Sequence, residues 1–258
     1  MLSGLFLVLF SYLFSTVTCS PCKGGIIINR IPNGSIGFYA KVAGIGLLLM
    51  AVLAGFSNGM VLNRLLVEAE AVKTAANLIE NGVLLRAGFG CFIIVLLLDV
   101  IVAWALYTLF KPISLDLSLL AAWLRLLYTA VFGASLFHIA EIIGLLDNPL
   151  PPSPEQILFL ISSFHNGWLI SLLFFALHLL ILGYLIIRSS GYVPKLIGFL
   201  LVLAAIAYTA DSLAYFLLPD YIHYEKTLLL IVTFCGVLGE LSLACWLLLK
   251  GVKMKPVR

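Results

Sequence analysis

Asp99, Arg125, His178 and Glu240 are the residues of this chain whose types could do chemistry together. Each stands inside a long apolar run. Each also lies about eight to ten residues from the same side of that run, so helices would carry all four to a depth of about 12–15 Å. A charged side chain at a bilayer centre costs at least about 2.5–3.5 kcal/mol on insertion scales, so each needs a buried partner or a task. One arginine neutralises one carboxylate through paired hydrogen bonds. That leaves a second carboxylate and an imidazole. The set reads either as a clamp between helices or as a layer that binds a small solute or moves protons.

A second polar layer falls in the opposite half of the same runs. It comprises Asn58, Asn63, Arg64, Arg86, His138, Glu141, Ser162, Ser163, His165, Asn166, Tyr208, Asp211 and Ser212. His138 and Glu141 are three apart and share a helical face. With His165 and Asp211 they offer two imidazoles and two carboxylates, a donor set suited to zinc or a similar divalent ion. That set would fit an intramembrane metal-dependent hydrolase of a lipid-like substrate. A satisfied hydrogen-bond network or a polar vestibule reads from the same residues. His138, His165 and His178 also raise a haem reading. His165 and His178 are separated by nearly 20 Å of helix rise, and a two-haem carrier needs a matching pair on a second helix, where this chain has only His138. The residues alone single out no cofactor.

The elements that must position these side chains follow from composition. Of 258 residues 63% are hydrophobic and 10% charged, with mean hydropathy +1.17. A soluble domain carries roughly 25% charged residues. The net charge of +3 comes without the clustered Lys and Arg of a nucleic-acid-binding face, so nucleic acid is not an expected partner. The lipid bilayer is. Cys91, Cys235 and Cys245 lie in apolar runs as small hydrophobes. Cys19 and Cys22 form one CxxC outside any βαβ context, a weak pointer to redox or metal chemistry. GxSxG, Walker A and HExxH patterns do not occur.

The expected fold is all-α, a polytopic transmembrane helical bundle of six spans, with an N-terminal apolar segment as candidate seventh. The spans run Tyr39–Leu66, Leu84–Leu109, Ser118–Leu146, Ile157–Ile187, Leu196–Leu218 and Leu228–Leu249. The fourth is the longest and the only one with two histidines. Glu68, Glu70, Lys73 and Glu80 among alanines predict a short interfacial helix in the first connector, and Pro149, Pro151, Pro152 and Pro154 separate the third and fourth spans. Gly55 and Gly59 form a G-x-x-x-G that predicts close helix approach. Trp168, Tyr184, Tyr192 and Tyr221 read as interfacial anchors.

Residues 1–37 read as an apolar segment and linker, 38–250 as the bundle and 251–258 as a basic tail. No Lys or Arg precedes the first apolar run, and no small-x-small site precedes Cys19, so cleavage as a signal peptide is not expected. With the N-terminus inside, ten Lys and Arg fall on the cytoplasmic side and three (Lys73, Arg86, Lys226) opposite. This positive-inside bias puts the protein in the cell membrane with its C-terminus cytoplasmic. Without an evident internal repeat, a conventional transporter is not favoured. A scaffold or partner subunit, with the polar residues only keeping helices in register, is the non-enzymatic alternative.

From about Tyr39 to Leu249 the chain resembles a bacterial multi-pass membrane family, domain-of-unknown-function family 4386. The resemblance is carried by Asp99 with Leu106-Tyr107 and Lys111-Pro112, by Arg125, and by His165-Asn166-Gly167. Phe174-Phe175-Ala176-Leu177-His178, Gly183-Tyr184 and Ser190-Gly191-Tyr192-Val193-Pro194-Lys195 carry it further. Ile197-Gly198 and Tyr208 with Asp211-Ser212-Leu213 complete it. It implies a membrane bundle with no established activity, and places Asp99, Arg125, His165, His178 and Asp211 in the shared pattern.

Overall fold

In lipid every backbone N–H and C=O must be satisfied within the segment, so long apolar runs without internal proline become helices. A computed structural model describes residues 33–67, 70–148, 152–189 and 193–251 of the chain. Helix α1 (Asn33–Gly55) continues through a π-helical stretch, Phe56–Leu62, into a last turn, Asn63–Leu65. It is followed by α2 (Ala71–Glu80), α3 (Gly82–Phe110), α4 (Leu115–Leu146), α5 (Pro154–Arg188), α6 (Lys195–Leu217), a 3-10 turn (Tyr221–His223) and α7 (Glu225–Leu249).

Among the described residues six helices are long and apolar enough to cross a membrane: Ile36–Leu65, α3, α4, α5, α6 and α7. The short helix expected in the first connector is α2, which buries Thr74, Ala75 and Leu78 and lies against α5. Thr74 ties the connector to it, with Oγ1 accepting from Val67 N at 2.9 Å and donating to Val67 O at 3.2 Å. The N-terminal segment 1–32 and the tail 252–258 lie outside the described residues, as does Tyr192.

Helix α5 has matched ends. Ser153 Oγ accepts from Gln156 N at 3.2 Å, Pro154 begins the helix, Glu155 sits in its first turn and Arg188 in its last. Each spanning helix packs on its chain neighbours, and α7 packs back on α1, closing a ring in chain order. The outside is apolar: Val52, Leu97, Phe137, Phe159, Ile206 and Phe234 are all more than half exposed. The inside holds Asp99, Arg125 and His178, each at 2% exposure or less.

Close approach is bought by glycines other than those expected. A Cβ on Gly55 or Gly59 would meet nothing within 4 Å among the described residues, so this G-x-x-x-G makes no helix contact with them. Gly183 and Gly198 do. A Cβ on Gly183 would lie 2.7 Å from the Gly198 carbonyl oxygen, and one on Gly198 2.8 Å from that of Gly183, so α5 and α6 cross backbone to backbone. Trp168 is also not an interfacial anchor. It packs edge-on to Phe132 at 4.7 Å and Phe92 at 5.6 Å, joining α5 to α4 and α3.

Candidate functional site

Arg125 enters the ring from α4, ten residues past Leu115, at about 15 Å of helix rise. Its Nη2 lies 2.6 Å from Asp99 Oδ1 on α3, and both side chains are 2% exposed. Its Nη1 lies 3.2 Å from His178 Nε2 on α5, and His178 Nδ1 lies 2.8 Å from the Ala121 carbonyl oxygen. A guanidinium only donates and a carbonyl only accepts, so the imidazole carries its proton on Nδ1 and accepts on Nε2. It is neutral. The Phe175 ring lies 5.4 Å from the guanidinium carbon, a cation–π contact, and Nη2 also points at Met50 Sδ at 4.0 Å. Arg125 Nε is buried and has no hydrogen-bond partner among the described residues.

Glu240 on α7 is partly buried and stands outside the ion pair, though within electrostatic reach of both Arg125 and Asp99. Its Oε1 accepts from the Tyr208 hydroxyl of α6 at 3.4 Å. Tyr208 lies edge-on to Phe175 at 5.7 Å. Every spanning helix therefore supplies a side chain to one layer: Met50, Asp99, Arg125, His178, Tyr208 and Glu240 in chain order. A cavity of about 10 Å³ adjoins His178, lined also by Tyr107, Ser118, Ala121, Ala122 and Leu182. That is about the room of one water.

A second cluster lies at the seam of α5 and α6, towards the α2 end. Asp211 is 5% exposed, and its Oδ1 accepts from the Tyr221 hydroxyl at 2.9 Å. Tyr215 donates to Asn166 Oδ1 at 2.9 Å, and both His165 and Tyr221 meet its ring edge-on at 5.2 Å. Tyr221 lies in the connector outside the spans. Burial, and the hydrogen bond it gives to Asp211, hold its hydroxyl well above the usual tyrosine range.

The four residues expected as metal ligands do not gather. His138 Nδ1 is 3.8 Å from Glu141 Oε2 on its own helix, whereas His165 and Asp211 belong to the α5–α6 seam. Among the described residues no group of three or more His, Cys, Asp and Glu side chains comes together to hold a metal. The reason is rotational: sharing one face of α4 brings His138 and Glu141 to each other without aiming either at α6. His178 is also poorly disposed to bind haem, since both its ring nitrogens are engaged. Asn58 lies half-buried in the π stretch and Arg64 is exposed. Arg86 instead pairs with Asp147 at 2.6 Å on the surface.

Sequence reasoning missed Tyr221 and Tyr215 as partners of Asp211 and Asn166, and put Tyr208 in the outer layer by depth. A signal was present. Tyr208, Ser212 and Tyr215 are spaced four and three apart, which places them on one face of α6. The His165-Asn166-Gly167 run has a local meaning too, because a Cβ on Gly167 would lie 2.6 Å from Ser135 Cβ of α4.

A protein of Archaeoglobus fulgidus, named only as uncharacterised, is 32% identical over 168 residues, which are 65% of this chain and 85% of that one. No solved structure matches. The model of the family described as domain of unknown function DUF4386 matches residues 42–251, and the chain belongs to that family.

Proposed function

We propose that the protein handles protons at the buried layer of Asp99, Arg125, His178 and Glu240, and that it lies in a cell membrane with its C-terminus on the cytoplasmic side. One observation carries the reading: two carboxylates face a single cation, while the imidazole beside them is neutral by its bonding. An uncompensated charge in a low-dielectric interior is costly. The layer reaches neutrality by holding one proton. Glu240, outside the ion pair and, among the described residues, hydrogen-bonded through Tyr208, is the group placed to take it up and release it. The adjoining cavity of about 10 Å³ suits a water and not a solute, which favours protons over small-solute binding.

The test is infrared spectroscopy of the protein in liposomes, from mildly acid to mildly alkaline pH. A carboxylic C=O band that appears and disappears reversibly, and is lost in Glu240→Gln, is the expected result. A spectrum with no titrating carboxyl, in a variant series that only lowers stability, would assign the layer to a structural clamp.

A further inference from the structure

We propose that α6 carries a proton relay that joins this layer to the α2 end of the bundle, running through Tyr221, Asp211, Ser212 and Tyr208 to Glu240. The inference rests on the proton-handling reading and adds the route and the side of access.

Both ends of the route are already hydrogen-bonded. Tyr221 donates to Asp211 at 2.9 Å, and Tyr208 donates to Glu240 at 3.4 Å. Beside Asp211 and one helical turn from Tyr208 stands Ser212, fully buried, with a hydroxyl that has no hydrogen-bond partner among the described residues. A buried hydroxyl left unpaired costs free energy, and serines inside apolar helices relieve that cost by bonding back along their own helix. Ser135, Ser171 and Ser242 do so here, each donating to a carbonyl three residues earlier. Ser212 does not. It is four residues from Tyr208 and next to Asp211, so about 6 Å of helix rise separates it from the tyrosine. That gap suits one bridging water.

The groups facing this route come from every helix around it. Tyr208 has Glu240 and Cys235 of α7 and Tyr128 of α4 as electrostatic neighbours. Asp211 has His165 of α5, and Tyr221 has Glu225 of α7 and Tyr215. Asp99 and Arg125 face Glu240. None is a cation on the route itself, so a proton meets no fixed positive charge before Arg125.

The transfers balance. Tyr221 gives its hydroxyl proton to Asp211 along the existing bond and regains one from water at the α2 end, and Asp211 passes a proton to a water beside Ser212. The Ser212 hydroxyl then accepts one proton and gives its own, by way of the bridging water, to the Tyr208 oxygen. Tyr208 gives its original proton along the existing bond to the Glu240 carboxylate. Ser212 and Tyr208 end as they began, and one proton has moved from the outer water to Glu240.

The experiment is a pH jump on the protein in liposomes, following the Glu240 carboxyl band in time. Ser212→Ala and Tyr208→Phe each remove a hydroxyl with little change of shape. The expected result is a fall of tenfold or more in the rate of protonation, with the final amplitude kept in Ser212→Ala. Asp211→Asn should slow the rate as well. Ala122→Leu, which fills the cavity beside His178, should leave it unchanged. A wild-type rate in Ser212→Ala and Asp211→Asn with slowing in Ala122→Leu would overturn the relay and move access to the other end. Absence of any Glu240 band in the wild-type protein would instead sink the proton-handling reading itself.

Discussion

The Tyr208 hydroxyl occupies a slot in α7 that exists because residue 236 is glycine: a Cβ there would lie 2.6 Å from the hydroxyl oxygen and 3.2 Å from the ring carbon that bears it. Gly236 and Glu240 are one turn apart on the same face of α7, so the glycine that admits the tyrosine also aims it at the carboxylate. Gly236→Ala should therefore push Tyr208 off Glu240. The expected cost is about 1–3 kcal/mol, the usual range for overpacking, read from unfolding in detergent. In a Tyr208→Phe background the penalty should shrink. An equal penalty in both backgrounds would mean that the slot serves only helix packing.

Removing one partner of the Arg125–Asp99 pair leaves a charge buried at 2% exposure. Asp99→Asn and Arg125→Met should each cost about 3–5 kcal/mol, whereas replacing both with apolar residues of similar volume should recover most of the loss. A double variant as unstable as the sum of the singles would contradict this. Denaturant titration of the purified variants supplies the measurement.

Helix crossings separate the glycines. At Gly183 the nearest atom to an added Cβ is a backbone carbonyl oxygen 2.7 Å away, which cannot step aside. At Gly55 an added Cβ meets nothing within 4 Å among the described residues. Gly183→Ala should lower the midpoint of thermal unfolding clearly, while Gly55→Ala leaves it in place or raises it slightly through helix propensity.

Tyr221 supplies an alkaline signature. Its hydroxyl is held above the usual tyrosine value of about 10, so the folded state keeps a proton that the unfolded chain has released. Stability from this group is full below the unfolded value and declines as pH rises from there through the folded one. Tyr221→Phe should flatten that alkaline decline in unfolding measurements, with no change at neutral pH beyond the lost hydrogen bond. A decline of the same steepness in the variant would show that other groups cause it.

The six spans, their order and the short helix after the first were legible because run length, prolines and charges mark where a helix can cross a bilayer, and those signals are local. The membership of the central layer was partly legible for a related reason. Asp99, Arg125, His178 and Glu240 are costly in lipid, and equal depth put them at one level. What the sequence could not settle was rotation about each helix axis. Lipid-facing and core-facing surfaces are both apolar, so no hydrophobic stripe tells inside from outside. Only packing showed that Gly55 and Gly59 look outward, that Trp168 turns inward against Phe92 and Phe132, and that His138 and Glu141 meet each other and not Asp211. Tertiary structure likewise decided that Tyr208 belongs with Glu240, because that pairing depends on a glycine 28 residues further along the chain standing where the tyrosine arrives.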